Sequence, residues 1–415
     1  MMKNNRFFVY INWDGFSYYY YKLANSLSYS GTPYINKLLN EGILFTNAYT
    51  GIPSITYPMQ SAIVSGAYSD VTNNVYKYFD RHLNKVILCR RLNKAQTIGE
   101  VLAGNDICFA SIQQFALENR GAEYDDLRHL YIQPGGDYKN RFKWARQIFV
   151  NSGISGIEMD EQPKVLFIYI DDLDSIGHNN FYARGRIKRF TEKGRLKNIM
   201  GRLKQMDNEL GKFVEFLKYI GIYDNTNILL TSDHGMVPFK GKSYVHRIIE
   251  ILKNQGFHKI ECLNIGETSS PDWEVIMISV NLQLQIYFRD QLGDEKMRSI
   301  KAMIEQDDIV EKCLTKDELK KRGTAAFFAD MLVSPIPPYH FSINKNRYWT
   351  LHANHDSLNS QAQHVFSLIK GPDFKKGVVY DKRVYNISFI PTLCTAMELP
   401  LPVQSNARII YDIIV

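Results

Sequence analysis

At 415 residues the chain exceeds what one hydrophobic core usually supports, so its length predicts a large domain with a sizeable insertion or second domain. Hydrophobic content of 45% and charged content of 22% exclude a disordered or fibrous chain, and no apolar run is long enough to span a bilayer, so no membrane partner is expected. The net charge of +7 is spread out, with only short groups such as Lys320-Lys321-Arg322, which favours a small phosphorylated ligand over a nucleic-acid polymer.

In chain order, the first element is FFVYINW, Phe7 to Trp13, an apolar run that stops at Asp14-Gly15. The tyrosines Tyr18 to Tyr21 follow; they could stack on a base, although half-buried packing is the commoner use of Tyr. Thr32 to Asn40 places Tyr34, Ile35, Leu38 and Leu39 at helical spacing. Next, GIPSITYPMQSAIVSG has Pro53 and Pro58 fixing a turn before a helix-like run from Met59. A hydroxyl at that helix start would face the positive end of its dipole, where phosphate binds. Ser54, Thr56 and Ser61 all compete for that place.

Val165 to Ile170 (VLFIYI) ends at Asp171, Asp172 and Asp174, within which DSIGH brings His178. Leu196 to Tyr219 is amphipathic and helical, and Asn227 to Leu230 runs through Thr231 and Ser232 into Asp233-His234-Gly235. Apolar strands that do not alternate belong to a parallel sheet covered on both faces. Alternation with helices predicts a doubly wound, mainly parallel α/β fold whose ligands sit beyond the carboxyl strand ends.

From about 239 to 340 the pattern changes. A helix (Tyr244 to Gln255), an alternating strand (Val275 to Phe288), a charged helix (Asp294 to Gln306) and a charged stretch (Lys316 to Arg322) predict a small α+β cap inserted into a core made of 1–238 and 341–415. HVFSLIKGP then reads as a strand and turn, and SFIPTLCTAMEL as a short helix begun near Pro391. The cysteines at 89, 108, 262, 313 and 394 form no CxxC pair and predict free thiols in a reducing, cytoplasmic setting.

The residues able to do chemistry at these strand ends and turns are Asp14, Asp174, His178, Asp233, His234 and His355, with His352 competing for the last place. Each alone has an ordinary reading, since Asp before Gly caps turns and a lone His sits in many cores. Their common placement at one sheet edge points to a metal site. Carboxylate and imidazole together suit two borderline divalent ions, each with three protein ligands and an open position. Two such ions about 4 Å apart suit phosphoryl chemistry. Zn²⁺ is the first expectation, and Mn²⁺ accepts the same ligands.

Taken together, Asp14-Gly15, PSITYP followed by IVSGAY, DSIGH, TSDHGM and a late His near KGPDF resemble the alkaline phosphatase superfamily, and within it the nucleotide pyrophosphatase/phosphodiesterase branch. The likeness covers about 6–238 and 350–400. It implies that Thr56 is the nucleophile, passing through a covalent phospho-threonine intermediate. It further implies that Asp14, Asp233, His234 and the Thr56 oxygen hold one ion, and Asp174, His178 and His355 the other. An Asn donor to a phosphate oxygen is also implied, with Asn74 preferred over Asn73. Asp356 after His355 departs from the usual Gly and sets an extra carboxylate near the second ion. No Arg follows the nucleophile, which leans toward diester or phosphoanhydride substrates, nucleotides among them. Phosphonoacetate-type hydrolysis, a phosphosugar mutase, and a silent relative acting as a binding protein are the alternatives, with Tyr339 and His340 as candidate cap contacts.

Overall fold

A computed structural model describes residues 5–150, 158–280, 282–344 and 347–415. Its frame is an eight-stranded sheet in the order Val378–Tyr380, Gly42–Phe45, Leu368–Lys370, Thr226–Thr231, Phe7–Trp13, Val165–Ile170, Phe109–Ile112, His129–Ile132. From Thr226–Thr231 to the His129–Ile132 edge every pairing is parallel. Leu368–Lys370 runs antiparallel to both its neighbours, an inversion that three residues of apolar pattern could not announce.

Both faces of the central strand are buried, as its unbroken apolar run requires. Val9 and Ile11 pack with Ile35, Phe142, Leu203 and Leu210 from the helices Pro33–Asn40, Tyr138–Val150 and Glu192–Tyr219. Phe8 and Tyr10 pack on the opposite face with Ile63, Leu102 and Ile390 from Thr56–Ser65, Ile98–Gly104 and Phe389–Ala396. The long helix starts four residues before the periodicity does, because Thr191 Oγ1 accepts from Gly194 N and caps a polar first turn. Pro391 lies inside the first turn of its helix, where its missing N–H is not needed.

One buried carboxylate links two of these helices. Asp207 Oδ2 and Oδ1 accept from Tyr34 N at 3.1 Å and Ile35 N at 2.8 Å, so it serves as a cap supplied from a neighbouring helix. Burial pushes this carboxyl up to about 6, although the two amides pull the other way. A raised folded-state pKa contributes stability below the unfolded value and loses it as pH climbs through the folded one. Urea melts of wild type and Asp207→Asn should therefore converge by about 2 kcal/mol as pH rises from about 4 to about 6. A difference that widens over that window would contradict the assignment.

A second sheet has the order Ile260–Cys262, Val275–Val280, Gln283–Phe288, Met331–Pro335, Val310–Thr315. The expected single strand over Val275 to Phe288 is two strands in an antiparallel hairpin, with Val280 opposite Gln283. The apolar pattern runs through because the reversal takes only two residues, too few to interrupt it. Helices Val245–Asn254 and Asp294–Glu305 cover one face. Onto the other packs the hairpin Tyr76–Asp80 with Lys85–Cys89, bringing Val75, Phe79 and Val86 against Ile276, Ile278 and Tyr287. That hairpin lies outside the 239–340 stretch in sequence, yet it shares the stretch's core.

Candidate active site

The carboxyl edge of the large sheet is where the chemistry-bearing residues meet. Asp14 follows the Phe7–Trp13 strand, its N–H donating to Ile170 O at 2.9 Å, while Asp174 N donates back to Asp14 O at 3.1 Å. Gly15 sits at φ +75, and a Cβ there would lie 3.0 Å from Asp174 Cα, so only glycine lets the two strand ends come this close. Asp174 lies on the short helix Asp172–Gly177, which His178 ends. Asp233 and His234 follow Thr226–Thr231, and a Cβ on Gly235 would meet Gln361 O at 2.0 Å. His355 follows the strand Arg347–Asn354.

These residues form two groups, Asp14 with Asp233 and His234, and Asp174 with His178 and His355, the ligand atoms of each lying within 4.8 Å of one another. Thr56 opens the helix Thr56–Ser65 and puts its Oγ1 3.0 Å from His234 Nε2 and 3.5 Å from Asp14 Oδ2. All three imidazoles are anchored alike through Nδ1: His234 to Gly235 O at 3.0 Å, His178 to Ala353 O at 2.9 Å and His355 to Ser54 O at 2.9 Å. That leaves Nε2 of each facing the carboxylates, at 3.3 Å from Asp14 for His234 and 3.2 Å from Asp174 for His178. Rings oriented by a backbone carbonyl through the other nitrogen are typical of metal ligands. The His234 and His355 rings stack at 3.8 Å, which joins the groups into one site.

The residues present fit a pair of divalent ions. Asp14 Oδ1 and Asp174 Oδ1 are buried without a hydrogen-bond partner among the described residues, and buried carboxylate oxygens left this way call for a cation. Burial, then the neighbouring Asp233 and Asp174, hold Asp14 well above the usual carboxylate range. Burial also opposes charge on Asp174, but His178, with His355 and His234, outweighs it and holds that carboxyl low. His355 is pushed down by burial and by His234. Such mutual repulsion among enclosed carboxylates is what a bound cation relieves.

Of the competing hydroxyls, Ser54 Oγ donates to His355 O at 2.8 Å and Ser61 Oγ to Tyr57 O at 3.0 Å, while Thr56 Oγ1 alone faces the imidazole and carboxylate. The Asn74 amide nitrogen is shared among Tyr57 O, Ser61 Oγ and Arg90 O, so it braces the Thr56–Ser65 helix, and a phosphate would have to displace those acceptors. Asn73 is the left-handed residue that ends the helix Ser69–Thr72. His352 pairs with Lys188 Nζ at 2.8 Å, outside both groups. Asp356 belongs to neither group and accepts from Gln283 at 2.7 Å; burial raises it to about 7, against the pull of Gln283 and Lys77.

Several supporting residues carried no signal in the sequence. Tyr169 OH donates to Asp14 Oδ2, although VLFIYI reads as plain core. Gln114 donates to Gln60 Oε1 at 2.7 Å, and Gln60 donates to Asp233 Oδ2 at 3.0 Å. Asn386 Nδ2 donates to Ser232 O at 2.9 Å and Thr50 Oγ1 donates to Asp233 O, fixing the turn that carries Asp233.

A family model described as type I phosphodiesterase / nucleotide pyrophosphatase matches residues 8–364. Ectonucleotide pyrophosphatase/phosphodiesterase family member 3 of Mus musculus is 25% identical over 241 residues, 54% of this chain and 24% of that protein. Bis(5'-adenosyl)-triphosphatase ENPP4 of Bos taurus is 22% identical over 240 residues, 54% of this chain and 46% of that one. The chain thus spans less than half the length of these relatives. Among solved structures, murine ectonucleotide pyrophosphatase / phosphodiesterase 5 superposes with a TM-score of 0.68 at 16% identity, covering 99% of this chain and 100% of that one. An inactive threonine-to-alanine form of the same murine protein, in complex with AMP, superposes with a TM-score of 0.68 at 15% identity over 99% and 100%. At these identities the likeness is one of fold.

Proposed function

The chain belongs to the type I phosphodiesterase / nucleotide pyrophosphatase family, and on that premise we propose that it hydrolyses phosphodiester or phosphoanhydride bonds of a small, nucleotide-like substrate with Thr56 as nucleophile. The observation that carries this reading is the place of Thr56 Oγ1, 3.0 Å from His234 Nε2 and 3.5 Å from Asp14, beside two Asp/His groups. Asp14, Asp233 and His234 would hold one divalent ion and Asp174, His178 and His355 the other, Zn²⁺ in the first instance and Mn²⁺ as the alternative. When bound, such ions lower the pKa of a hydroxyl and neutralise charge growing on phosphoryl oxygens.

The chain's own part is positioning. Thr56–Ser65 has Ile55 before it with no side-chain cap, so its first amides stay open to a phosphoryl oxygen. Thr56 Oγ attacks phosphorus as the alcohol or phosphate leaves with the hydroxyl's proton, giving a phosphate ester of Thr56 that keeps the substrate's other substituent. Water then attacks phosphorus, breaks the bond to Thr56 Oγ, releases the phosphomonoester and restores the hydroxyl. The 239–340 stretch acts as a cap in this reading. Support comes from Gln283, which reaches Asp356, and from Ser334 Oγ, which accepts from Leu358 N at 3.0 Å just after His355. The name of the bovine relative, an adenosyl triphosphatase, and the AMP bound to the murine structure support a nucleotide as substrate. The five cysteines are free thiols, which supports a reducing, cytoplasmic place of action.

The test compares initial rates on bis-p-nitrophenyl phosphate, p-nitrophenyl phosphate and phosphonoacetate after loading with Zn²⁺ or Mn²⁺. The diester should turn over fastest; preference for phosphonoacetate would move the protein to the phosphonate hydrolases. Chelation should lower the melting temperature as well as activity, because ions that bind only the folded state stabilise it by about 3 kcal/mol at a hundredfold excess over Kd. A melting temperature indifferent to chelator and to added ion would count against metal binding.

A further inference from the structure

Four residues beyond His178 begins a hairpin that the catalytic reading does not use. Tyr182–Ala183 pairs with Arg186–Ile187, setting Ile187 opposite Tyr182 across a turn through Arg184 and Gly185. Phe181, Tyr182, Ile187 and Phe190 are 83%, 68%, 64% and 79% exposed. Single exposed apolar residues are ordinary, but four within ten positions form a patch that calls for a partner. From Asn179 to Thr191 the chain carries Arg184, Arg186, Lys188 and Arg189 and no acidic residue.

A second ribbon lies against the first. Asn179 Nδ2 donates to Leu351 O at 2.9 Å, and Lys188 Nζ approaches His352 Nε2 at 2.8 Å. The strand Arg347–Asn354 pairs with Val237–Lys242 so that Lys242 stands directly opposite Arg347. Trp349, 79% exposed, has the Arg347 guanidinium 4.0 Å from its ring centroid. Like charges directly across a strand pair cost stability. Among the described residues neither Lys242 nor Arg347 makes an ion pair, and Arg186, Arg189 and Lys240 make none either. Residues 237–247 and 343–354 contain no Asp or Glu. The fold thus keeps unneutralised cations beside exposed aromatic and aliphatic side chains.

We propose that these two ribbons form a docking face for an anionic lipid surface, with Phe181, Ile187, Phe190 and Trp349 entering the headgroup boundary and the Arg and Lys side chains meeting lipid phosphates. Basic side chains around exposed aromatic and aliphatic groups are the composition of peripheral membrane contacts. A single nucleic-acid strand would call for a groove lined by stacking rings. Here the exposed residues include Ile187, and the clefts lined by Tyr18 and His364 or by Arg81 and Asp330 lie elsewhere. Such a face contains no continuous apolar run, because its apolar residues are interleaved with charge.

The test floats the full chain with vesicles of phosphatidylcholine alone and of phosphatidylcholine with phosphatidylserine. Binding is expected to the anionic vesicles only, to weaken with added salt, and to fall about fivefold for each charge removed in Arg186→Ser and Arg347→Ser. Ile187→Ser with Phe190→Ser should abolish it, while thermal melting, which exposed positions barely touch, stays put. Absence of anionic-vesicle binding, or binding indifferent to these variants, overturns the proposal. So does tighter binding to a single-stranded oligonucleotide than to the vesicles, or self-association that the same variants abolish in a chain that ignores lipid.

Discussion

Thr56→Ala should lose turnover of bis-p-nitrophenyl phosphate by roughly a thousandfold or more while keeping its bound divalent ions. The hydroxyl lies 3.0 Å from His234 Nε2 and 3.5 Å from Asp14 Oδ2, but the carboxylates and imidazoles of both groups are supplied by other elements, so its removal leaves each trio complete. The first residue of a helix tolerates alanine, and the helix cap here uses no Thr56 side-chain bond. Stability should therefore change little. Thr56→Ser keeps an oxygen in place and should retain a substantial part of the rate, which separates loss of the nucleophile from loss of packing. Metal content measured beside the rates decides the matter: near wild-type turnover in the alanine variant would remove Thr56 from the mechanism, and loss of both ions would make it a structural ligand instead.

The sequence disclosed charged chemistry well and neutral support poorly. Asp14, Asp174 and Asp233 each interrupt an apolar run, and a carboxylate at the end of a buried strand is hard to place anywhere but a site or a cap. Gln60, Gln114, Asn386 and Tyr169 hold those carboxylates, yet each sits in an otherwise buried segment where one polar residue breaks no period. The choice among Ser54, Thr56 and Ser61 was open on physical grounds because all three lie near one helix start. In the fold, backbone carbonyls accept from Ser54 and Ser61, while Thr56 Oγ1 lies beside the His234 imidazole. The inverted Leu368–Lys370 strand and the split of Val275 to Phe288 were illegible for a related reason: direction and reversal leave no mark in hydrophobicity when turns are this short. The exposed ribbon residues leave no periodic mark either, since hydrophobic periodicity follows what is buried.

The opposing demands of folding and chemistry at the site lead to a crossover in Asp14→Asn. Asp14 and Asp233 are buried with Asp174 beside them, and burial followed by those two neighbours already pushes Asp14 well above the ordinary range. Removing one charge from such a group relieves repulsion, while an amide can still accept from Tyr169 OH. In chelator, the variant should therefore be the more stable protein, by about 1–2 kcal/mol, read as a melting temperature raised by about 1–2 °C. With Zn²⁺ or Mn²⁺ the order should reverse, because an amide is a weaker ligand and one of the two ions should be lost. Turnover should fall by roughly a hundredfold or more, as expected where a charge that serves the transition state is costly to the resting fold. Melting curves of both proteins with and without ion carry the test. A variant less stable than wild type in chelator would show that Asp14 is held by its neighbours more than it is repelled by them. One more stable under both conditions would mean that Asp14 does not bind metal.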